Sequence, residues 1–212
     1  MHVLSHKIWF PPIEDALADG LLAIGGDLSI DRLILAYQKG IFPWYEGETP
    51  LWWSPDPRFV LFPEELIISK SMKQLIKKNL FQFKTNTAFS EVINRCKNQI
   101  REGQNGTWIT NDVAFAFNQL HQKGIAISAE TWQGDQLIGG LYGIKMGKLF
   151  FGESMFSSVS NASKFAFIQL VKQLIEEGII LIDCQVYTAH LASLGARMIS
   201  RIEFKEYLER NI

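Results

Sequence analysis

One stretch decides how the second half of this 212-residue chain folds: IILIDCQ, residues Ile179–Gln185. Four branched apolar residues in a row are typical of a strand that is buried on both faces of a sheet. Because side chains alternate along a strand, Asp183 and Gln185 at its end point to the same face. A buried carboxylate without partners is costly, so Asp183 either has partners or lies at the mouth of a cleft. Strand ends of this kind often carry a functional site, although a structural role is equally compatible with the pattern.

The segments around this strand predict a mixed sheet with a helix packed across it. Strands are expected over 125–131, 137–145 and 148–155, joined by short turns as an antiparallel meander. A long helix over 161–177 follows, and its narrow polar stripe indicates burial over most of its circumference. This order is that of the acetyltransferase-like (GNAT) fold, which normally binds the pyrophosphate of coenzyme A on a glycine-rich loop before the long helix. The corresponding stretch Ser157–Asn161 contains no glycine, which predicts that acetyl-CoA is not used.

The first half of the chain carries aromatic loops and one basic helix. Trp44 follows Pro43 on a loop that cannot continue the preceding helix, and a helix over 69–79 has an apolar face opposite a face of lysines. We expect an α+β protein with a small N-terminal domain and a C-terminal GNAT-like catalytic domain. The expected bounds are 1–60 and 61–105 for the two parts of the N-terminal domain and 106–212 for the catalytic domain.

The composition is that of an ordinary globular protein, with 47% hydrophobic and 20% charged residues and a net charge of −1. This charge argues against bulk non-specific binding to nucleic acid but leaves room for a local basic patch. Two cysteines cannot build a disulfide framework, and neither a signal peptide nor a membrane span is apparent. We therefore expect a cytoplasmic protein. The four histidines lack metal-ligand spacing, so we expect no metal.

Six short motifs together are very specific, and they extend over nearly the whole chain. They are GGDLS (Gly25–Ser29), YQKGIFPW (Tyr37–Trp44), WWSPDPR (Trp52–Arg58), GTWIT (Gly106–Thr110), GESMF (Gly152–Phe156) and LIDCQ (Leu181–Gln185). Their order and content closely resemble the bacterial leucyl/phenylalanyl-tRNA–protein transferases. The resemblance implies transfer of Leu or Phe, and by extension Met, from aminoacyl-tRNA to the N-terminal Arg or Lys of acceptor proteins or peptides, which marks them for the N-degron pathway.

The resemblance implies three catalytic residues, Asp183, Gln185 and Glu153. An aminoacyl ester is already activated, so we expect no cofactor, and positioning of the amine supplies much of the acceleration. The attacking α-amine has a pKa of about 7.7–8, and an ordinary aspartate with a pKa near ~3.9 is a weak base for it. We therefore predict that Asp183 accepts a hydrogen bond from the Gln185 amide and attracts the ammonium by charge. The Gln185 carbonyl then accepts a proton of the attacking amine.

The resemblance also implies a site for the terminal adenosine of the tRNA and for the donor side chain. Stacking of a base on an indole is worth ~1–3 kcal/mol, although each tryptophan taken singly is as compatible with core packing. The expected residues are Trp44, Trp108, Gly152, Leu141 and Phe167.

A third expected set contacts the tRNA backbone through charge. Taken alone, the lysine stripe is more often a solvated helix face, and the resemblance favours the tRNA contact. The set comprises Arg58, Lys70, Lys73, Lys77 and Lys78.

Three alternatives remain open from the residues alone. The first is a coenzyme A-dependent N-acetyltransferase, and the second is a non-catalytic aminoacyl-tRNA binding protein. The third is a transferase that acts on the lysine ε-amine of a cell-wall peptide precursor.

Overall fold

The computed structural model describes residues 1–99 and 108–212, and the domain boundary expected at 105/106 lies outside them. The strands are β1 His2–Leu4, β2 Leu21–Gly25, β3 Phe42–Pro43, β4 Leu51–Trp53, β5 Arg58–Leu61, β6 Gln82–Thr85, β7 Ala126–Gln133, β8 Gln136–Met146, β9 Leu149–Ser157, β10 Leu181–Gln185 and β11 Arg197–Ile199. The helices are α1 Ile30–Gln38, α2 Lys70–Lys77, α3 Phe89–Lys97, α4 Asn111–Gln122, α5 Ala162–Glu176, α6 Ala189–Ala192 and α7 Arg201–Asn211.

Within the described residues the strands form two sheets. The smaller sheet has the order β1-β2-β4-β3, and the larger has the order β11-β5-β10-β9-β8-β7-β6. In the larger sheet β7, β8 and β9 form the predicted antiparallel meander, while β10 runs parallel to β9 and antiparallel to β5. The predicted mixed sheet flanked by helices is therefore confirmed. Because β5 pairs directly with β10, the first half of the chain contributes to the surroundings of β10.

The larger sheet separates two hydrophobic cores. Leu181 packs into one core and Ile182 into the other, as the alternation along a buried strand requires. Helix α5 packs against β7 and β8 and buries nine of its fifteen residues, while α3 and α4 pack elsewhere on the meander. This arrangement leaves β10 buried between two strands, with its carboxyl end as the place where polar groups emerge.

Strand β10 begins at Leu181, two residues later than predicted. Gly178 ends α5 with a φ of +76°, a conformation that glycine adopts without strain. The next residue, Ile179, is still bonded to the last turn of the helix, because its amide donates to the carbonyl of Leu174 at 2.9 Å. Ile180 is 37% exposed. The chain therefore uses two of the four apolar residues to turn from helix to strand.

Helix α2 has the two faces that the sequence predicts. The Ser69 hydroxyl caps its N-terminus by accepting a hydrogen bond from the Met72 amide at 3.3 Å. Met72 is buried, and Leu75 and Ile76 pack partly against the same core. The lysines of the helix lie on the exposed side. The helix is therefore anchored by a small apolar face and presents its charge to solvent.

Two glycines on adjacent strands of the meander differ sharply in the space around them. A Cβ added at Gly143 would overlap the carbonyl oxygen of Phe151, whereas one added at Gly152 would meet its nearest neighbour, the carbonyl oxygen of Asp183, at 3.6 Å. We predict that Gly143→Ala lowers the free energy of unfolding by about 1–3 kcal/mol, because the strands must separate to admit the methyl group. Gly152→Ala should change it by less than about 1 kcal/mol. Urea denaturation of both variants checks this, and equal stabilities would contradict it.

Candidate functional site

A cleft of about 430 Å³ lies at the carboxyl end of β10. Its volume is in the range of about 300–1,000 Å³ that is typical of small-molecule sites. Walls come from the end of β3, from β8 and β9, from α5, and from the segment that joins β10 to α6. The predicted site residues that line it are Trp44, Trp108, Leu141, Gly152, Glu153, Phe167 and Gln185.

Gln185 ends β10 in an unusual backbone conformation and lines the cleft. Its φ is +64°, and the pairing of β10 with β5 shifts register between Asp183 and Gln185. A left-handed conformation is uncommon for a residue other than glycine, and such residues cluster at functional sites. The side-chain Nε2 donates to Oε1 of Glu153 at 3.0 Å. No described residue donates a hydrogen bond to Oε1 of Gln185. The carboxamide is therefore held through its nitrogen, and its oxygen can still accept a hydrogen bond.

The carboxyl group of Glu153 lies buried in the wall of the cleft. The hydroxyl of the buried Tyr37 donates to its Oε1 at 2.8 Å, alongside the bond from Gln185. Its Oε2 is buried and has no partner among the described residues. Burial raises the pKa of Glu153 to about 8, and the charge of Asp183 acts in the same direction. The hydrogen bonds from Tyr37 and Gln185 favour the ionised form and oppose this rise.

Asp183 lies behind the cleft wall in a buried ion pair with Arg58. Nε and Nη2 of Arg58 donate to the two carboxylate oxygens at 2.8 and 2.6 Å, and the two side chains are 1% and 0% exposed. The guanidinium carbon lies 4.8 Å from the ring centroid of Phe42 and 4.6 Å from that of Phe204. The arrangement is a bidentate pair held between two aromatic rings.

This ion pair corrects two expectations. Arg58 is not available to contact tRNA phosphate, because its side chain is buried and already paired. Asp183 does not attract the ammonium directly, because it is fully buried, does not line the cleft and is neutralised by Arg58. The hydrogen bond expected between Gln185 and Asp183 comes from the Gln185 backbone amide, at 2.9 Å. Asp183 therefore positions the backbone of Gln185, and the Gln185 side chain is positioned by Glu153.

The aromatic side of the cleft is formed by two tryptophans from distant parts of the chain. Trp44 is 39% exposed, and its carbonyl accepts a hydrogen bond from the indole Nε1 of Trp53 at 2.5 Å. Trp108 is partly buried against the core, as are Trp53 and Trp132. Trp44 therefore presents the most accessible aromatic surface of this wall.

The lysines of α2 lie outside the cleft. Lys70, Lys73, Lys77 and Lys78 are exposed, and none of them forms an ion pair with a described residue. Their charge is therefore available to an external anion. None of the described helices combines the length and the apolar character that a membrane span requires. Over 1–99 and 108–212, no group of three or more His, Cys, Asp or Glu side chains is arranged to hold a metal ion.

Comparison with known protein families identifies the chain. The model of the leucyl/phenylalanyl-tRNA protein transferase family matches residues 60–209, and the model of its N-terminal domain matches residues 26–56. The chain belongs to this family. Membership makes the protein an aminoacyltransferase, as the sequence predicts.

Curated members of the family align over almost the full chain. The leucyl/phenylalanyl-tRNA–protein transferase of Christiangramia forsetii is 57% identical, covering 98% of this chain and 100% of the relative. The enzyme of the same name from Flavobacterium johnsoniae is 55% identical and covers 99% of each chain. That of Nitrosomonas eutropha is 56% identical, covering 94% of this chain and 86% of the relative.

Solved structures match with much lower identity. L-PGS from Bacillus licheniformis is 12% identical with a TM-score of 0.43, covering 90% of this chain and 65% of that protein. A GCN5-related N-acetyltransferase from Kribbella flavida is 7% identical with a TM-score of 0.42, covering 79% and 60%.

Several residues that line the cleft or support its walls were not among the predicted site residues of this transferase. Tyr37 lies 116 positions before its partner Glu153, and only its place on the inner face of α1 marks it as a buried hydroxyl that needs a partner. His190 lines the cleft, and its Nε2 has no partner within 1–99 and 108–212; an isolated histidine carries no motif. Met155, Ser163 and Cys184 also line it. Their contribution depends on how the elements pack, which local sequence patterns do not report.

The raised pKa of Glu153 predicts how the stability of this transferase depends on pH. Between the ordinary glutamate pKa of 4.5 and about 8, the folded protein keeps a proton that the unfolded chain has lost. The free energy of unfolding should therefore fall as pH rises through this window, by an amount on the order of a few kcal/mol. Glu153→Gln should flatten this dependence, as measured by urea denaturation from pH 5 to 8.5. The control is Glu176→Gln at an exposed position, and a slope as steep in Glu153→Gln as in the control would contradict the assignment.

Proposed function

We propose that this protein transfers Leu or Phe, and Met as a further donor, from aminoacyl-tRNA to the N-terminal α-amine of proteins that begin with Arg or Lys. In the cell this marks the acceptor for degradation by the N-degron pathway. The observation that carries the proposal is the cleft, where the side-chain carbonyl oxygen of Gln185 lies beside Glu153, between apolar and aromatic walls, without a bond to any described residue. Family membership gives this geometry its chemical context.

The donor binds with its adenosine against the aromatic wall and its side chain in the apolar part. Trp44 supplies an exposed ring for stacking on an unpaired base. Leu141 and Phe167 are 2% and 3% exposed and line the cleft with Met155. The backbone of Gly152 leaves room beside them, because a Cβ there would meet nothing closer than 3.6 Å. An apolar side chain such as leucine or phenylalanine is therefore the favoured donor.

Gln185 and Glu153 act on the attacking amine. The Gln185 carbonyl oxygen accepts a hydrogen bond from the amine and directs its lone pair at the ester carbon. As the carbon–nitrogen bond forms and the bond from the ester carbon to the 3′ oxygen breaks, the protonated carboxyl group of Glu153 gives its proton to the 3′ oxygen. It takes up in exchange the proton that the amine nitrogen loses, so that Glu153 ends the step protonated as it began. The pKa of Glu153, about 8, lies close to that of an α-amine, about 7.7–8, so this transfer costs little free energy.

The start of α5 argues against use of acetyl-CoA. The amide of Ser163 donates to Oγ of Ser157 at 3.2 Å, and the amide of Ala162 donates to the carbonyl of Val159 at 3.0 Å. A pyrophosphate bound at a helix N-terminus needs such amides free. These two donors are already used by the loop Ser157–Asn161 itself. The acetyltransferase alternative therefore lacks part of its phosphate site.

Transfer of radiolabelled leucine tests the proposal directly. We expect label from leucyl-tRNA on a model protein that begins with Arg and none on the same protein that begins with Ala. Gln185→Leu should bind leucyl-tRNA as the wild type does but transfer about a hundredfold more slowly, since loss of the group that orients the attacking amine misplaces it and can cost about 10²-fold. Retained transfer in this variant would remove Gln185 from the chemistry.

The controls of this assay separate the alternatives. Label on a peptide whose α-amine is acetylated and whose lysine ε-amine is free would point to a cell-wall type acceptor. Binding of acetyl-CoA in calorimetry would support the acetyltransferase. Tight binding of leucyl-tRNA without transfer to any amine would leave a binding protein.

Contact of α2 with the tRNA backbone predicts a change in salt dependence. Lys73→Glu should weaken the binding of leucyl-tRNA and reduce the slope of log K against log salt concentration by roughly one, because one phosphate contact is lost. Lys172→Glu changes an exposed lysine of α5 and serves as the matched control. Filter binding at several NaCl concentrations measures both. Equal slopes for the two variants would show that α2 is only a solvated face.

A further inference from the structure

Two buried side-chain atoms of the cleft walls have no hydrogen-bond partner among the described residues. One is Oε2 of Glu153, which the proposed reaction uses, and the other is Nε2 of His190. Unpartnered buried polar atoms are rare in folded proteins because they lose their bonds to water without replacement. In the wall of a cleft, such an atom indicates where a polar group of the ligand lies.

His190 is held in place at the beginning of α6. The Thr188 hydroxyl caps this helix by accepting from the Leu191 amide at 3.2 Å, and the Ser193 hydroxyl donates to the His190 carbonyl at 2.6 Å. Burial lowers the pKa of His190, and the charge of Lys164 lowers it further. The ring is therefore neutral near pH 7 and has one nitrogen that accepts a hydrogen bond.

The position of His190 relates it to the donor side chain. It lines the cleft together with Ser163 and Phe167, which lie one turn apart on α5, and the charge of Lys164, the residue after Ser163, acts on its ring. Glu153 and Gln185 belong to the strand side, where Tyr37 and Asp183 hold them. The two unpartnered atoms therefore serve different polar groups.

The donor carries a polar group that must lie beside its apolar side chain. An aminoacyl ester has a free α-amine on the same carbon as the side chain, and this amine is not the one that attacks. Its N–H bonds need an acceptor inside the cleft, because burial without one costs free energy. We propose that Nε2 of His190 accepts a hydrogen bond from the α-amine of the donor aminoacyl residue and so makes His190 a binding residue for aminoacyl, rather than simple acyl, donors.

This inference rests on the proposed function and is tested by equilibrium binding, so its outcome is separate from that of the transfer assay. Two donors are prepared on the same tRNA with unreactive 3′-amide linkages: leucyl-tRNA, and 4-methylpentanoyl-tRNA, which lacks the α-amine. We expect His190→Phe to weaken binding of the leucyl donor roughly five- to tenfold, as loss of a neutral hydrogen bond does. Binding of the 4-methylpentanoyl donor should be unchanged.

Two further variants make the result decisive. His6→Phe makes the same substitution at an exposed position and should bind both donors as the wild type does. His190→Gln, which keeps a hydrogen-bond acceptor, should recover part of the preference for the leucyl donor. Equal weakening of both donors by His190→Phe would show that the ring only fills space, and no weakening of either would show that it makes no contact. Either result overturns the inference.

Discussion

The buried ion pair between Arg58 and Asp183 is the interaction on which the geometry of the cleft depends. It joins β5 to β10 across 125 residues of sequence with two hydrogen bonds of 2.8 and 2.6 Å. Burying two charges is expensive, and the cost is offset here by bidentate geometry, by the bond from the Gln185 amide and by the rings of Phe42 and Phe204. Loss of either partner would leave an uncompensated charge in the core, at a cost of about 3–5 kcal/mol.

A second set of hydrogen bonds fixes the orientation of the Gln185 carboxamide. The Asp183 carboxylate holds the backbone of Gln185 in its left-handed conformation. Tyr37 and Gln185 both donate to one oxygen of Glu153. Gln185 is therefore fixed at its backbone by Asp183 and at its side chain by Glu153. The carbonyl oxygen of Gln185 and Oε2 of Glu153 have no hydrogen-bond partner among the residues that the structure describes. The polar groups available to a substrate are those that the fold has left unpaired.

Much of the fold and of the cleft was predictable from the sequence, and the features that were not predictable depend on contacts between distant residues. Alternating and continuous apolar patterns predict the meander and β10, and the motifs around Trp44, Gly152 and Gln185 predict residues that do line the cleft. Arg58 precedes the lysine stripe in the sequence, and the resemblance groups it with those lysines as a tRNA contact, but its side chain is buried. Its pairing with Asp183, like that of Tyr37 with Glu153, joins residues more than a hundred positions apart. Such pairings depend on the tertiary packing of the sheet, which local periodicity does not encode.

The position of the two carboxylates also decides which of them can exchange a proton during aminolysis. A carboxylate of ordinary pKa lies about four units below an α-amine, so moving a proton to it costs about 5 kcal/mol. Glu153 avoids most of this cost, because burial next to Asp183 raises its pKa to about 8. Asp183 contributes the charge that helps to raise it but is itself bound to Arg58 and removed from the cleft. Asp183 therefore has a structural and electrostatic role, and Glu153 is the carboxyl group whose pKa matches that of the attacking amine.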